Sequence, residues 1–211
     1  MTMPQAHEDA SAFWEGHYAK LTAPASGRPS AILVRFTAGL VIGRALDLGC
    51  ACGDDTIWLA RQGWTATGVD VAQSAIDAAQ RAAEHAGVAE RTRFARHDLN
   101  VSIPDGAFDL VSAMFLHSPG KFDRLAALQR AANVVAPGGL LLIAAHGSRA
   151  PWSWADPDTV YPTADEELVD LSLTPSGWHD VFVGPIERIA YGPGGQTATV
   201  IDTVIALERL T

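Results

Sequence analysis

Cysteine is almost missing from this chain: only Cys50 and Cys52 occur, one residue apart in a glycine-rich turn. A Cys-x-Cys pair in a turn is poorly placed for a framework disulfide, so the fold has to hold by packing. At 211 residues it is long enough to bury one substantial core as a single domain. Two thiols fall short of the roughly four ligands of an iron–sulfur cluster. They are read as turn packing, with no metal site. Positive charge is also scarce, with 15 Lys and Arg against 24 Asp and Glu and a net charge of −9. Arg91, Arg93 and Arg96 come nearest to a basic cluster, but they alternate with other residues as the solvent side of a strand does. Without a basic face the chain is not expected to take nucleic acid as a partner. No apolar run is long enough for a membrane span, and the opening MTMPQAHEDA lacks the basic and apolar regions of a secretory signal. The expected setting is the cytoplasm, with no membrane partner.

What the chain does contain is a steady alternation of apolar strand-like runs and helical patterns, the mark of stacked βα units and a mainly parallel sheet. Residues 9–20 read as an amphipathic opening helix, and a second follows near 30–40. Strands are expected at 44–49, 64–70, 92–99, 108–115 and 140–146, with helices at 54–62, 72–87 and 121–135 between them. Pro137-Gly138-Gly139 reads as the stop of the last of these helices. A Pro- and Trp-rich loop covers 147–163, then a short helix at 164–172 and two strand-like segments, 179–190 and 197–208.

The chemistry concentrates where the first strand ends, in ALDLGCACGDD. Gly49, Ala51 and Gly53 are small residues that let a ligand approach the backbone ahead of a helix with free amides. A dinucleotide site requires G-x-G-x-x-G, yet the second and third glycine positions hold Ala51 and Asp54. A phosphate loop fails as well, since no G-K-[ST] follows. Asp70 ends the second strand, where a carboxylate can accept both ribose hydroxyls of a nucleoside. Asp47, two residues before the first glycine, suits an ammonium group better than a phosphate. Asp98 ends the third strand within reach of an adenine amino group.

The ordered series ALDLGCACG, TGVD, RHDL, FDLVSAMFLH and VVAPGGLLLI, over residues 44–146, resembles the motifs of class I S-adenosylmethionine-dependent methyltransferases. The opening FWEGHYAK and the tail GQTATVIDTVIAL further resemble bacterial small-molecule methyltransferases of the tellurite-resistance and thiopurine types. The resemblance implies a three-layer, Rossmann-like α/β fold with a seven-stranded, mostly parallel sheet and an antiparallel last strand. It also implies S-adenosylmethionine as cofactor and methyl transfer to a small molecule. Within the one domain, residues 1–40 would form a helical lid, 41–146 the cofactor-binding core, and 147–211 the acceptor-side loop and C-terminal strands. By matching position, Gly49 and Gly53 would shape the turn, with Cys50 beside the methionine part and Asp47 on its ammonium. Asp70 would hold the ribose, Val71 the adenine face, and Asp98 with Leu99 the adenine amino group and ring. Ala113, Met114 and Phe115 would line the cofactor near the methyl. The family often has glycine where this chain has Ala51.

Ligands of open α/β sheets lie beyond the carboxyl ends of the strands, which gathers His117, His146 and the 147–163 loop on the acceptor side. His117 and His146 are candidate bases for a hydroxyl, amine or thiol acceptor, although in-line transfer draws much of its rate from positioning alone. Trp152, Trp154 and Tyr161 are candidates for stacking on the acceptor, with Trp14 and Tyr18 as a lid. Two rival readings remain on the sequence: a non-catalytic binding module and a nicotinamide-dependent oxidoreductase. The acceptor atom and the oligomeric state are left open.

Overall fold

A computed structural model describes residues 9–20, 26–153, 156 and 158–210. Seven strands, β1 (Arg44–Leu48), β2 (Thr65–Asp70), β3 (Thr92–Arg96), β4 (Phe108–Met114), β5 (Val135–His146), β6 (Trp178–Tyr191) and β7 (Thr197–Arg209), form one sheet in the order β3-β2-β1-β4-β5-β7-β6. Strands β1 to β5 pair in parallel, and β7 runs antiparallel to both β5 and β6. The expected antiparallel last strand is therefore present, inserted between β5 and β6. Strand order reverses between β1 and β4, which opens the crevice where α/β sheets take ligands.

Six helices accompany the sheet: α1 (Ala10–Tyr18), α2 (Ala31–Thr37), α3 (Asp54–Arg61), α4 (Gln73–His85), α5 (Arg124–Ala132) and α6 (Ala164–Leu171). The central strands carry apolar residues at successive positions because both faces are covered. Leu46, Val111, Leu141, Ile143 and Ile205 pack against Ala127 and Leu128 of α5 and Leu171 of α6. Ala45, Leu110, Leu142, Ala144 and Val204 face the other way, onto Ile32 and Leu33 of α2 and Leu59 of α3. Each such leucine contributes about 1.5–3 kcal/mol through burial, and these two layers hold the strand ends rigid beneath the site. Helix α6 starts with a capping box in which Thr163 and Glu166 satisfy each other's backbone amides.

Two boundaries differ from the sequence expectation. Helix α5 ends at Ala132, and the Val135-to-Gly139 stretch already belongs to β5. Phe108 pairs with Val135, the register then shifts, and Leu110 pairs with Leu140. Gly138 at φ 74° takes up the bulge, so this Pro-Gly-Gly run bends a strand and stops no helix. Strand β3 ends at Arg96, which leaves Asp98 in the following loop, where its carboxylate accepts from the Asn100 amide at 2.9 Å. Arg91, Arg93 and Arg96 are exposed.

Candidate active site

The turn after β1 folds back on itself because its residues tolerate left-handed backbone. Gly49 has φ 71° and Gly53 φ 88°. A Cβ on Gly49 would lie 2.7 Å from Leu116 Cδ1, and one on Gly53 would lie 2.9 Å from Ala79 Cβ. The Gly49 and Cys50 amides both donate to the Val69 carbonyl, at 2.8 and 3.0 Å. Ala51 is left-handed at φ 50° despite its methyl. Its amide donates to Asp70 Oδ2 at 3.1 Å, while the Ala72 amide donates to Oδ1 at 3.0 Å. One carboxylate thus pins the ends of two parallel strands and holds the turn open.

Over this turn lies a cavity of about 220 Å³, more than ten times what one ordered water requires. Its wall is drawn from the β1 turn (Gly49), the end of β2 (Asp70, Val71), the β3 loop (Asp98, Leu99), the β4 loop (Phe115, His117) and α1 (Trp14, Tyr18). These are the positions singled out in the sequence, brought together from five separate segments. Asp47, Cys50, Gly53, Ala113 and Met114 are not in that wall. Asp47 is buried beneath the turn, its carboxylate accepting from Thr56 Oγ1 at 2.7 Å and Ser112 Oγ at 3.4 Å. Cys50 and Ala113 are buried, Met114 packs on the core, and Gly53 serves the contact of α3 with α4 and β3.

Electrostatics separate these groups. Burial, with the neighbouring Asp55 carboxylate, pushes Asp47 up to about 7 against its Thr56 and Ser112 hydrogen bonds. Asp70 is raised by burial but opposed by its backbone donors. Tyr18 is driven above its ordinary 10 by burial and by Asp70, so its hydroxyl stays protonated. Burial keeps the Cys50 and Cys52 thiols protonated, and among the described residues no cluster of three metal-ligating side chains occurs.

Helix α1 is held across the cavity by its own polar groups. Glu15 Oε2 accepts from the Ser74 amide at 3.2 Å and caps α4, which has no side-chain cap at Ala72. Trp14 Nε1 donates to Ser118 Oγ at 3.1 Å and joins α1 to the β4 loop. Asp9, Ser11, Asn100, Ser118, Lys121 and Phe122 also line the cavity. Sequence reasoning missed them, because loop and lid residues carry no periodic signal.

Beyond the ends of β4 and β5, His117 lines the cavity, and His146 stacks on it at 5.7 Å and on Phe115 at 4.8 Å between ring centroids. His117 has open surface, but packing around its ring, with Arg124 and His146 nearby, lowers its pKa to about 4. His146 is also lowered, chiefly by burial, with Asp202 pulling it back up. Trp152 packs on Gly192 of the β6–β7 turn, and neither it nor Tyr161 lines the cavity. Trp154 lies outside the described residues.

Residues 45–139 match the family model described as a methyltransferase domain. The methyltransferase GfsG of Streptomyces halstedii is 32% identical over 48% of this chain and 37% of its own length. The ribosomal RNA small subunit methyltransferase C of Alcanivorax borkumensis is 30% identical over 54% of this chain and 35% of its own. The chain thus spans little more than a third of these relatives. Among solved structures, one described as converting a disulfide bond into a thioacetal group during echinomycin biosynthesis superposes with a TM-score of 0.72, at 24% identity over 95% of this chain and 93% of that one. The N-methyltransferase NodS of Bradyrhizobium japonicum WM9, solved with S-adenosyl-L-homocysteine, gives 0.67 at 16% identity over 95% and 99%. The fold is shared with these solved structures.

Proposed function

We propose that this chain, which carries a methyltransferase domain over residues 45–139 on the class I fold, uses S-adenosylmethionine to methylate a small-molecule acceptor. The observation that carries the reading is the single cavity in which Gly49, Asp70, Val71, Asp98, Leu99 and Phe115 converge under α1. The residues present fit the group. Asp70 faces the cavity with lone pairs beyond those given to Ala51 and Ala72, enough for ribose hydroxyls. Val71 and Leu99 offer apolar walls to a purine, and Asp98 is an acceptor for its amino group. Gly49 presents bare backbone where a side chain would collide with Leu116. Asp47, held under the turn, acts on the methionine end only through the turn. When bound, the cofactor supplies a methyl on a sulfonium: the acceptor's lone pair forms the new bond as the carbon–sulfur electrons return to sulfur.

The chain's own part is then positioning and desolvation. Trp14, Tyr18 and Phe115 line the cavity from α1 and the β4 loop, where they would shield the reacting atoms from water once ligands are bound. The N-terminus of α3, where a dinucleotide would place its pyrophosphate, bears Asp54 and Asp55. Those carboxylates already accept from the Ser26, Gly27 and Ser30 amides, which speaks against the nicotinamide alternative. A net charge of −9 gives weak attraction to RNA phosphates, and the free thiols suit a cytoplasmic setting.

Calorimetric titration with S-adenosylmethionine and S-adenosylhomocysteine tests the donor site. Asp70→Ala is expected to weaken both by about 10- to 100-fold, the loss of charge-assisted hydrogen bonds. No binding to folded wild-type protein would sink the reading. Product formation with a small-molecule panel but not with ribosomal RNA is the expected acceptor result, and the reverse would favour the RNA-modifying relatives. Binding with no turnover on either would favour the non-catalytic module.

A further inference from the structure

We propose that Asp202 is a positioning residue for His146, and that His146, not His117, takes the proton released by the methyl acceptor. The inference rests on the methyl-transfer reading above. Its placement follows from strand register. His146, the last residue of β5, sits opposite Asp202 of β7, and Ile186 of β6 sits opposite Asp202 on the other side. Arg188, two residues beyond Ile186, therefore shares that sheet face.

Asp202 has no exposed side-chain surface. Arg188 closes on it through two hydrogen bonds, Nε to Oδ2 and Nη2 to Oδ1 at 3.3 Å. The guanidinium fixes the carboxylate in place by this two-point contact. Its Oδ1 lies 4.0 Å from His146 Nδ1. That is ion-pair distance, and a small ring movement of the kind that tightens catalytic contacts on ligand binding converts it to a hydrogen bond. The carboxylate favours the proton on Nδ1 and leaves the Nε2 lone pair free.

His146 is not itself in the cavity wall, but its ring is held against two residues that are. It stacks on Phe115 and His117, both wall residues, and Phe115 lies 5.4 Å from the Arg188 guanidinium. Phe115 has φ 54°, a strained conformation for an aromatic residue, and this turns the chain at the end of β4 toward His146. The charged and titratable groups around His146 are Asp202 from β7, Arg188 from β6 and His117 from the β4 loop. His117 instead faces the Arg124 guanidinium and the His146 ring. Two stacked imidazoles thus have opposite surroundings, and the one with an anion behind it is the better base. The step balances: the acceptor's proton goes to Nε2, the bond electrons stay on the acceptor atom, and Asp202 offsets the imidazolium. His146 is 49% exposed, so water can collect the proton.

The test is nitrogen-resolved NMR of the full ligand-free chain, with His146 assigned through His146→Gln. The expected result is an Nδ1–H tautomer in the wild type. Asp202→Asn should lower the His146 pKa and Arg188→Gln should raise it, shifts of opposite sign that a merely structural pair would not produce. Should Asp202→Asn not fold, Arg188→Gln and the wild-type tautomer still decide. An Nε2–H tautomer, or a pKa indifferent to the variants, overturns the positioning role. With S-adenosylmethionine and a phenol, aniline and thiophenol panel, His146→Gln should cut kcat roughly 100-fold without changing S-adenosylhomocysteine affinity. Unchanged kcat overturns the base assignment. Intact NMR behaviour with no cofactor binding would instead overturn the methyl-transfer reading.

Discussion

Asp47 and Asp70 have the same side chain and opposite situations. Asp70 faces the cavity and is satisfied by backbone amides, whereas Asp47 lies under the turn with only hydroxyl partners. Asp47 titrates at about 7 in the fold, above the usual 3.8. A group with a raised folded pKa contributes stability that is fully present below the unfolded value and is lost as pH rises through the folded one. Its window is therefore about pH 4 to 7. His117, lowered to about 4, works in the opposite direction, but its ring is open to solvent and its share is smaller. Asp47→Asn keeps an oxygen for the Thr56 hydroxyl and removes the charge. Thermal unfolding followed between about pH 5 and pH 8 should show the wild-type midpoint falling more steeply than that of the variant. Parallel curves would mean that Asp47 does not control this window.

At the scale of the element, α1 is the piece whose attachment is most exposed to test. Glu15 accepts from the Ser74 amide in the first turn of α4, and it does so from another helix. Glu15→Ala removes that cap, with an expected loss of about 1 kcal/mol in unfolding free energy by urea titration. Hydrogen exchange of residues 10–18 should quicken more than exchange in β5, because α1 is tied to the body through side-chain contacts of Glu15 with Ser74, Trp14 with Ser118 and Ser11 with Arg96, whereas β5 lies between two paired strands. Equal protection in wild type and variant would place α1 in the rigid core instead of a separable lid. Strand β5 teaches the converse. Its Pro-Gly-Gly run is locally a helix terminator, yet pairing with β4 makes it a bulged strand.

Across the whole molecule, stability resides in the two apolar layers on either face of the sheet. Leu141 is fully buried at the centre of one of them, and Leu141→Ala should cost about 2–5 kcal/mol in equilibrium unfolding. The same variant should retain cofactor affinity at temperatures where it is folded, since Leu141 lies on β5 away from the cavity wall. A selective loss of binding at full folding would mean that the core and the site are coupled.

The sequence by itself determined the layered α/β class and the order of the elements, and it singled out Gly49, Asp70, Val71, Asp98, Leu99 and Phe115, which meet in one cavity. The class, the glycine turn and the acids at strand ends are local features, whereas Val71, Leu99 and Phe115 were reached through the resemblance of the ordered motifs. Only the tertiary structure decided that Asp47 is sealed below the turn, that Trp152 belongs to the β6–β7 hairpin and that Glu15 caps a distant helix. It also decided the meeting of Asp202 with His146 on one side and Arg188 on the other, residues far apart in the chain that come together through the insertion of β7 between β5 and β6. Strand register and helix docking bring such groups together, and both are set by burial over the whole sheet, which no short stretch of sequence encodes.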